Sequence, residues 1–326
     1  MLKNKAIIIT GAAGFIGSHL TERLLENSNF LLLIDNFNKY YLGKEERLEK
    51  ILRNYQGKKD YIILREDLTN KSFIDKIHYE IDFIFHLAAQ AGVRYSIDKA
   101  AEVTRNNIIS TVNILEYALN IDKIRKIAYA SSSSVYGNPI YTPCDEDHPK
   151  NPISPYAVSK LCGELYADYY YREYNLPITT LRFYTVYGPR GRPDMSISKF
   201  FNLMLNNKEI SIYGTGEQLR DFTYISDIIN GLILASEKDA SNGEVFNLGC
   251  SNPLSVNDLI EKMYAITKRS KKVKYIDKQQ GDVDITFSNI NKAKKLLNYS
   301  PKVNIDEGLM NQYQWQKNFI KILKNH

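Results

Sequence analysis

The chain has 326 residues, a formal net charge of +6, and 44% hydrophobic against 25% charged residues. This is enough for one large domain, or one domain with a substantial lobe, and the composition is that of a soluble globular protein. The thinly spread charge and single tryptophan argue against a dedicated nucleic-acid binder, and no apolar run is long enough to span a membrane.

In chain order, AIIIT (6–10), FLLLID (30–35), YIILRED (61–67), DFIFHLAA (82–89) and KIAYASS (126–132) read as buried strands. Between them SHLTERLLEN, KEERLEKILRNY and NNIISTVNILEYALN have helical periodicity. Near-continuous apolar strands alternating with helices predict a parallel sheet covered on both faces. LPITTLRFY adds a strand after a helix that begins near Tyr156 and runs to about Tyr174. From residue 185 the chain turns Gly-, Pro- and Arg-rich (TVYGPRGRPD), a loop. DFTYISDIINGLILAS and GEVFNLG then return to the sheet, and helices near SVNDLIEKMYAI and INKAKKLL make a smaller lobe. Lys3 and Lys5 precede AIIITGAAGFIG as in a signal peptide, but the strict glycine interval and the amphipathic segment behind it mark folded structure. Cys144, Cys162 and Cys250 are far apart and odd in number, as expected of reduced cytosolic thiols with no metal spacing. The densest basic stretch, KRSKKVK (268–274), is either a solvated surface or a polyanion patch.

Gly11, Gly14 and Gly17 stand at G-x-x-G-x-x-G spacing between a strand and a helix. Glycines there allow a tight turn and let the backbone approach a pyrophosphate resting on the helix N-terminus. Asp35 ends the next strand, where a carboxylate meets the adenosine ribose and repels a 2′-phosphate, which favours NAD over NADP. Asp67 is a candidate adenine contact or a cap for the next segment. Tyr156 and Lys160 form a Y-x-x-x-K pair, a cheap pattern that recurs at Tyr40/Lys44 and Tyr264/Lys268. Context selects Tyr156: it opens a long helix, and at i,i+4 the lysine shares its face and is expected to lower the tyrosine's pKa, as a base for alcohol oxidation requires. The serine run 131–134 ends the preceding strand, at the carboxyl edge where ligands of parallel sheets bind.

With these segments in order (the glycine turn, HLAAQAGVRYS, SSSSVYG, YAVSK, RDFTYISD and QQGDV), the chain resembles the extended short-chain dehydrogenases/reductases that act on nucleotide sugars, over almost its whole length. The resemblance implies an α/β Rossmann-type doubly wound parallel sheet with a smaller C-terminal substrate-binding lobe. The NAD-binding domain would cover 1–182, its sheet completed by 222–251, and the nucleotide-sugar lobe 183–221 and 252–326. It implies Ser132, Tyr156 and Lys160 as catalytic residues. It places tightly bound, recycled NAD against Gly11, Gly14, Phe15, Ile16, Gly17, Asp35, Asn36, Asp67, Leu68, Leu87, Ala88, Ala89, Tyr156 and Lys160. Substrate contacts would come from Arg94, Ser132, Ser133, Ser134, Thr185, Arg192, Arg220 and Asp282. Asn107 resembles a structural asparagine that shapes the site.

The 4,6-dehydratases of this family carry an acidic pair after the catalytic Ser/Thr, and decarboxylating relatives a glutamate. Ser133 and Ser134 stand there instead, so elimination lacks its proton donor and epimerisation remains. HLAAQAGVRYS and TVYGPRGRPDM most resemble the UDP-glucuronate 4-epimerases, whereas galactose epimerases have asparagine at Thr185 and arginine at Gln279. QQGDV resembles that branch's QPGDV, with Gln280 in place of proline. Thr185 and Arg192 match residues at the sugar carboxylate, which a guanidinium fork suits; phosphate binding or loop capping are the other roles open to Arg192. The expectation is a cytoplasmic, homodimeric UDP-sugar 4-epimerase acting on UDP-glucuronate, with no metal, nucleic-acid or membrane partner. The rivals are an epimerase of UDP-glucose or UDP-N-acetylglucosamine, or a non-catalytic NAD-binding sensor or scaffold.

Overall fold

A computed structural model of the protein describes residues 2–55, 60–279 and 281–324. The first six apolar runs are strands: β1 (Ala6–Thr10), β2 (Phe30–Asp35), β3 (Tyr61–Arg65), β4 (Phe83–His86), β5 (Lys126–Ser132) and β6 (Ile178–Phe183). Later come β7 (Thr185–Tyr187), β8 (Ile210–Tyr213), β9 (Leu219–Tyr224), β10 (Val245–Leu248), β11 (Pro253–Ser255) and β12 (Val273–Ile276). Seven form one parallel sheet in the order β10-β6-β5-β4-β1-β2-β3. The order reverses between β1 and β4, so a crevice opens beyond their carboxyl ends.

Alternate side chains of each strand enter different cores. Ile7, Ile9, Leu31, Leu33 and Phe85 pack with Leu20 and Leu24 of helix Phe15–Leu25 and with Ile228 and Leu232 of helix Ile225–Glu237. Ile8, Leu32, Ile84 and Ile127 pack on the other face with Ile114 of helix Ser110–Leu119 and Ala167 of helix Pro155–Tyr174. With both faces covered, neither set can be polar, which is why the strands read as unbroken apolar runs. Truncating one such residue, as in Ile8→Ala, should cost about 2–5 kcal/mol.

Two elements differ from the sequence reading. The helix expected over 106–120 starts as a π-helical stretch, Arg105–Ile109, before the α-helix Ser110–Leu119. The Thr111 hydroxyl donates back to the Asn107 carbonyl at 2.7 Å. The Asn107 side chain accepts from Gln90 N at 2.7 Å and donates to Ser159 Oγ at 2.8 Å. The wide turn aims this amide at two neighbouring elements. Secondly, of the segment 222–251 it is β10 that joins the main sheet, beside β6. β9 instead pairs with β7 and β11 in a small sheet, because the chain turns straight from β6 into β7 and starts a new ladder there. Helices Ser196–Leu205, Val256–Thr267, Asn291–Leu297 and Ile305–Lys324, with the parallel pair β8 and β12, complete the C-terminal lobe. No helix among the described residues is long and apolar enough to cross a membrane.

Candidate active site

The glycine turn is bare because it has to be. Gly11 lies at φ +68°, and a Cβ there would meet the Ala88 backbone at 2.9 Å; a Cβ on Gly17 would lie 2.1 Å from the Gly11 carbonyl oxygen. The helix behind it begins at Gly14 with no side-chain cap, so its first N–H groups face the crevice as an anion site. Asp35 closes one end, its carboxylate accepting from Ala13 N at 3.0 Å and Phe37 N at 2.8 Å. Burial pushes this carboxyl up, opposed by those bonds and by the charge of Lys44. Burial also pushes up Asp67, but bonds from Thr69 and Asn36 outweigh it and leave its pKa lowered. The Thr10 hydroxyl accepts from Leu87 N and Ala88 N, each at 3.1 Å, and meets His86 Nδ1 at 2.8 Å. Burial, then the charge of Lys160, pulls His86 down to about 3, so the ring is neutral. Every cofactor residue expected from the sequence, from Gly11 to Ala89 together with Tyr156 and Lys160, lines this one cleft.

Tyr156 enters it from helix Pro155–Tyr174, which starts where expected: the Ser154 hydroxyl accepts from Ala157 N at 3.2 Å and Pro155 fills the first turn. Ser132 ends β5 and caps the next turn, its Oγ accepting from Ser134 N at 3.1 Å and lying 3.0 Å from Ser134 Oγ. The expected lowering of the tyrosine pKa by Lys160 is corrected here. Lys160 Nζ donates to the Ala130 carbonyl at 2.6 Å, and burial brings the lysine down to about 8. Burial raises the Tyr156 pKa, and the groups pulling it back are Arg192 and the hydrogen-bonding Ser132 hydroxyl.

An adjoining cleft shares Phe15, Ile16, Tyr156 and Arg192 with the first and is lined by Ser132, Ser133, Ser134, Thr185, Arg220 and Asp282. Arg94 reaches it through Asp282, at 2.8 Å, while stacking on Tyr213 with its guanidinium 4.3 Å from the ring centre. Arg220 donates to the Val283 carbonyl at 2.7 Å, so it also fastens the loop that carries Asp282. Gln280 lies outside the described residues. Thus the expected cofactor and substrate residues, Arg94 excepted, line one double cleft whose seam includes Tyr156 and Arg192, and Arg94 joins it through its ion pair with Asp282.

The profile of the GDP-mannose 4,6 dehydratase family matches residues 8–312. The chain belongs to that family of extended short-chain dehydrogenases/reductases. It is 40% identical over 324 residues to a UDP-glucuronate 4-epimerase of Thermodesulfobacterium geofontis, covering 98% of each chain. It superimposes with a TM-score of 0.89 on a UDP-glucuronic acid 4-epimerase of Bacillus cereus crystallised with UDP-glucuronic acid and NAD, at 37% identity over 96% of this chain and 99% of that one. A UDP-glucose 4-epimerase of Thermotoga maritima, crystallised with UDP-glucose, gives the same TM-score of 0.89 at 32% identity over 97% and 99%.

Two features of this family member's site were missed by sequence reasoning. Beneath the serine run, Arg182 donates to Glu164 at 2.9 and 2.7 Å, with the two side chains 2% and 7% exposed, and Ser131 donates to the same carboxylate. Arg182 also donates to Tyr136 OH at 2.9 Å, which passes on to Asn247 at 2.7 Å. The available signal was Arg182 itself, a lone charge inside the apolar run LRF, which requires a buried partner. The second is Asp194, which accepts from Arg192 Nε at 3.0 Å and Nη2 at 2.7 Å.

Proposed function

We propose that the protein is an NAD-dependent UDP-glucuronate 4-epimerase that forms UDP-galacturonate through a 4-keto sugar. The observation that carries this is the seam: a tyrosine base and a guanidinium face one cleft, next to a serine run with no acid. The bare glycine cradle and the Asp35 carboxylate fit the dinucleotide, with 1–182 and the 222–251 segment as its domain and the remaining chain as the sugar lobe. Bound NAD supplies hydride acceptance and return at carbon 4. Tyr156 takes the proton of the 4-hydroxyl, and Ser132 shares that hydrogen bond and orients the sugar. Lys160, held by the Ala130 carbonyl, faces the dinucleotide in the cleft beside Tyr156. Ser133 and Ser134 hold the sugar without offering a proton for loss of water. Arg192 and Thr185 meet the carbon-6 carboxylate, and Arg94, Arg220 and Asp282 meet the UDP.

A second reading, 4-epimerisation of UDP-glucose or UDP-N-acetylglucosamine, is favoured by one observation: Asp194 already neutralises Arg192. Incubation of the holoenzyme with a panel of UDP-sugars, with NMR of the products, separates the two; no turnover of UDP-glucuronate would overturn the first. We also infer a homodimer joined through the helices around 100–120 and along Pro155–Tyr174, where Ile109, Leu119, Val158 and Leu165 are 43%, 39%, 45% and 61% exposed. A monomeric mass by sedimentation would refute that.

A further inference from the structure

Arg192 has an ionised partner before any substrate arrives. Asp194, two residues on, takes its Nε and Nη2, and Tyr40 OH donates to the same carboxylate at 3.2 Å. Burial pushes the Asp194 carboxyl up, but the bonds and charge of Arg192 more than offset it, so the group is a carboxylate. Among the described residues, no hydrogen bond engages Arg192 Nη1. The loop is also anchored upstream of Asp194. Arg190 pairs with Glu22 at 2.6 Å and meets His19 at 3.1 Å, and Gly188 N donates to Gln312 Oε1 at 2.8 Å. The loop therefore has anchors besides Asp194.

We propose that Asp194 is a specificity-determining residue: a resident counter-ion of Arg192 that competes with the sugar's carboxylate and narrows the preference for acidic over neutral UDP-sugars. This rests on the reading that Arg192 meets carbon 6. A neutral hydroxymethyl group leaves Arg192 paired with Asp194, so binding it does not strand a half-buried cation. An acidic sugar must bring its carboxylate beside another carboxylate, and like charges in a half-buried site repel. Both effects compress selectivity.

Asp194→Asn keeps the shape and an acceptor oxygen for Tyr40 and Arg192 while removing the charge. The test is kcat/KM of the holoenzyme for UDP-glucuronate and UDP-glucose in wild type, Asp194→Asn, Arg192→Ala and the double variant. Asp194→Asn should raise the glucuronate-to-glucose ratio about three- to tenfold, chiefly through KM. In the Arg192→Ala background the competition for the guanidinium is gone and only the repulsion between carboxylates remains, so the effects of the two changes should not add. If turnover of one sugar is below detection, calorimetric dissociation constants in the Tyr156→Phe background supply the ratio. An unchanged or lower ratio in Asp194→Asn, with Arg192→Ala still collapsing selectivity, would overturn the proposal and leave Asp194 as an orienting group. An Arg192→Ala ratio equal to wild type would instead remove the reading of Arg192, and this inference with it.

Discussion

At the glycine turn the cleft is shaped by backbone. Gly11 and Gly17 admit no Cβ, and Asp35 is held by two main-chain N–H groups. Around Arg192 the cleft is shaped by charged side chains and their partners: Arg192 pairs with Asp194 and Arg94 with Asp282, while Arg220 holds the main-chain carbonyl of Val283. A backbone-shaped floor has one geometry and recognises one kind of ligand. A wall of mutually paired charges can be reset by a single substitution. On the proposed function, the reaction belongs to the floor and Tyr156, and the choice of sugar to the wall around Arg192.

The largest effect should come from the seam. Tyr156→Phe keeps the ring and removes the proton acceptor, so kcat should fall about 10²–10⁴-fold with UDP-sugar affinity retained; near-normal turnover would point to another base. Next is the floor's support. Glu164→Ala leaves Arg182 buried without its carboxylate and should cost about 3–5 kcal/mol in urea unfolding. A loss under 1 kcal/mol (~) would mean the pair is incidental to β5 and the helix above it. Arg192→Ala should leave the floor intact, with NAD retained on purification, yet reduce selectivity for UDP-glucuronate over UDP-glucose. One charge-assisted contact is worth about 1.5–3 kcal/mol, or roughly ten- to hundredfold before competition from Asp194; loss of NAD from this variant would blur the division. Per pH unit, the smallest effect is the floor's response to acid. His86 is neutral in the fold, with its pKa lowered from 6.5 to about 3. Between those values the unfolded chain binds a proton that the fold does not, so stability falls as pH drops below 6.5, by up to about 1.4 kcal/mol per unit. The stability profile of His86→Asn should be shallower there; equal slopes would mean the ring is protonated in the fold.

The floor was legible in the sequence because its constraints are local. A strand, a strictly spaced glycine turn, a helix and an acid at the end of the next strand lie within residues 6–35. Helix Pro155–Tyr174 was legible from its Ser-Pro start and its length. The wall was legible only by resemblance, since Arg94, Arg192, Arg220 and Asp282 meet through tertiary packing that no periodicity encodes. Helix Ile305–Lys324 was not singled out because its inward face carries Gln312 and Gln316, only 1% and 8% exposed, which break the apolar stripe. Those amides are polar because they hold the Gly188 loop and Ser198, a reason that exists only in the folded chain. The effect of Lys160 on the pKa of Tyr156 was not legible for the same reason: spacing placed it on the tyrosine's face but could not show its bond to Ala130.

The central claim is epimerisation at carbon 4 of UDP-glucuronate with its carboxylate and water retained. The most direct test is incubation of the holoenzyme with UDP-glucuronate deuterated at carbon 4, followed by mass spectrometry and NMR of the product. The expected result is UDP-galacturonate of unchanged mass with deuterium still on carbon 4. Release of carbon dioxide or water, or exchange of the deuterium with solvent, would contradict it.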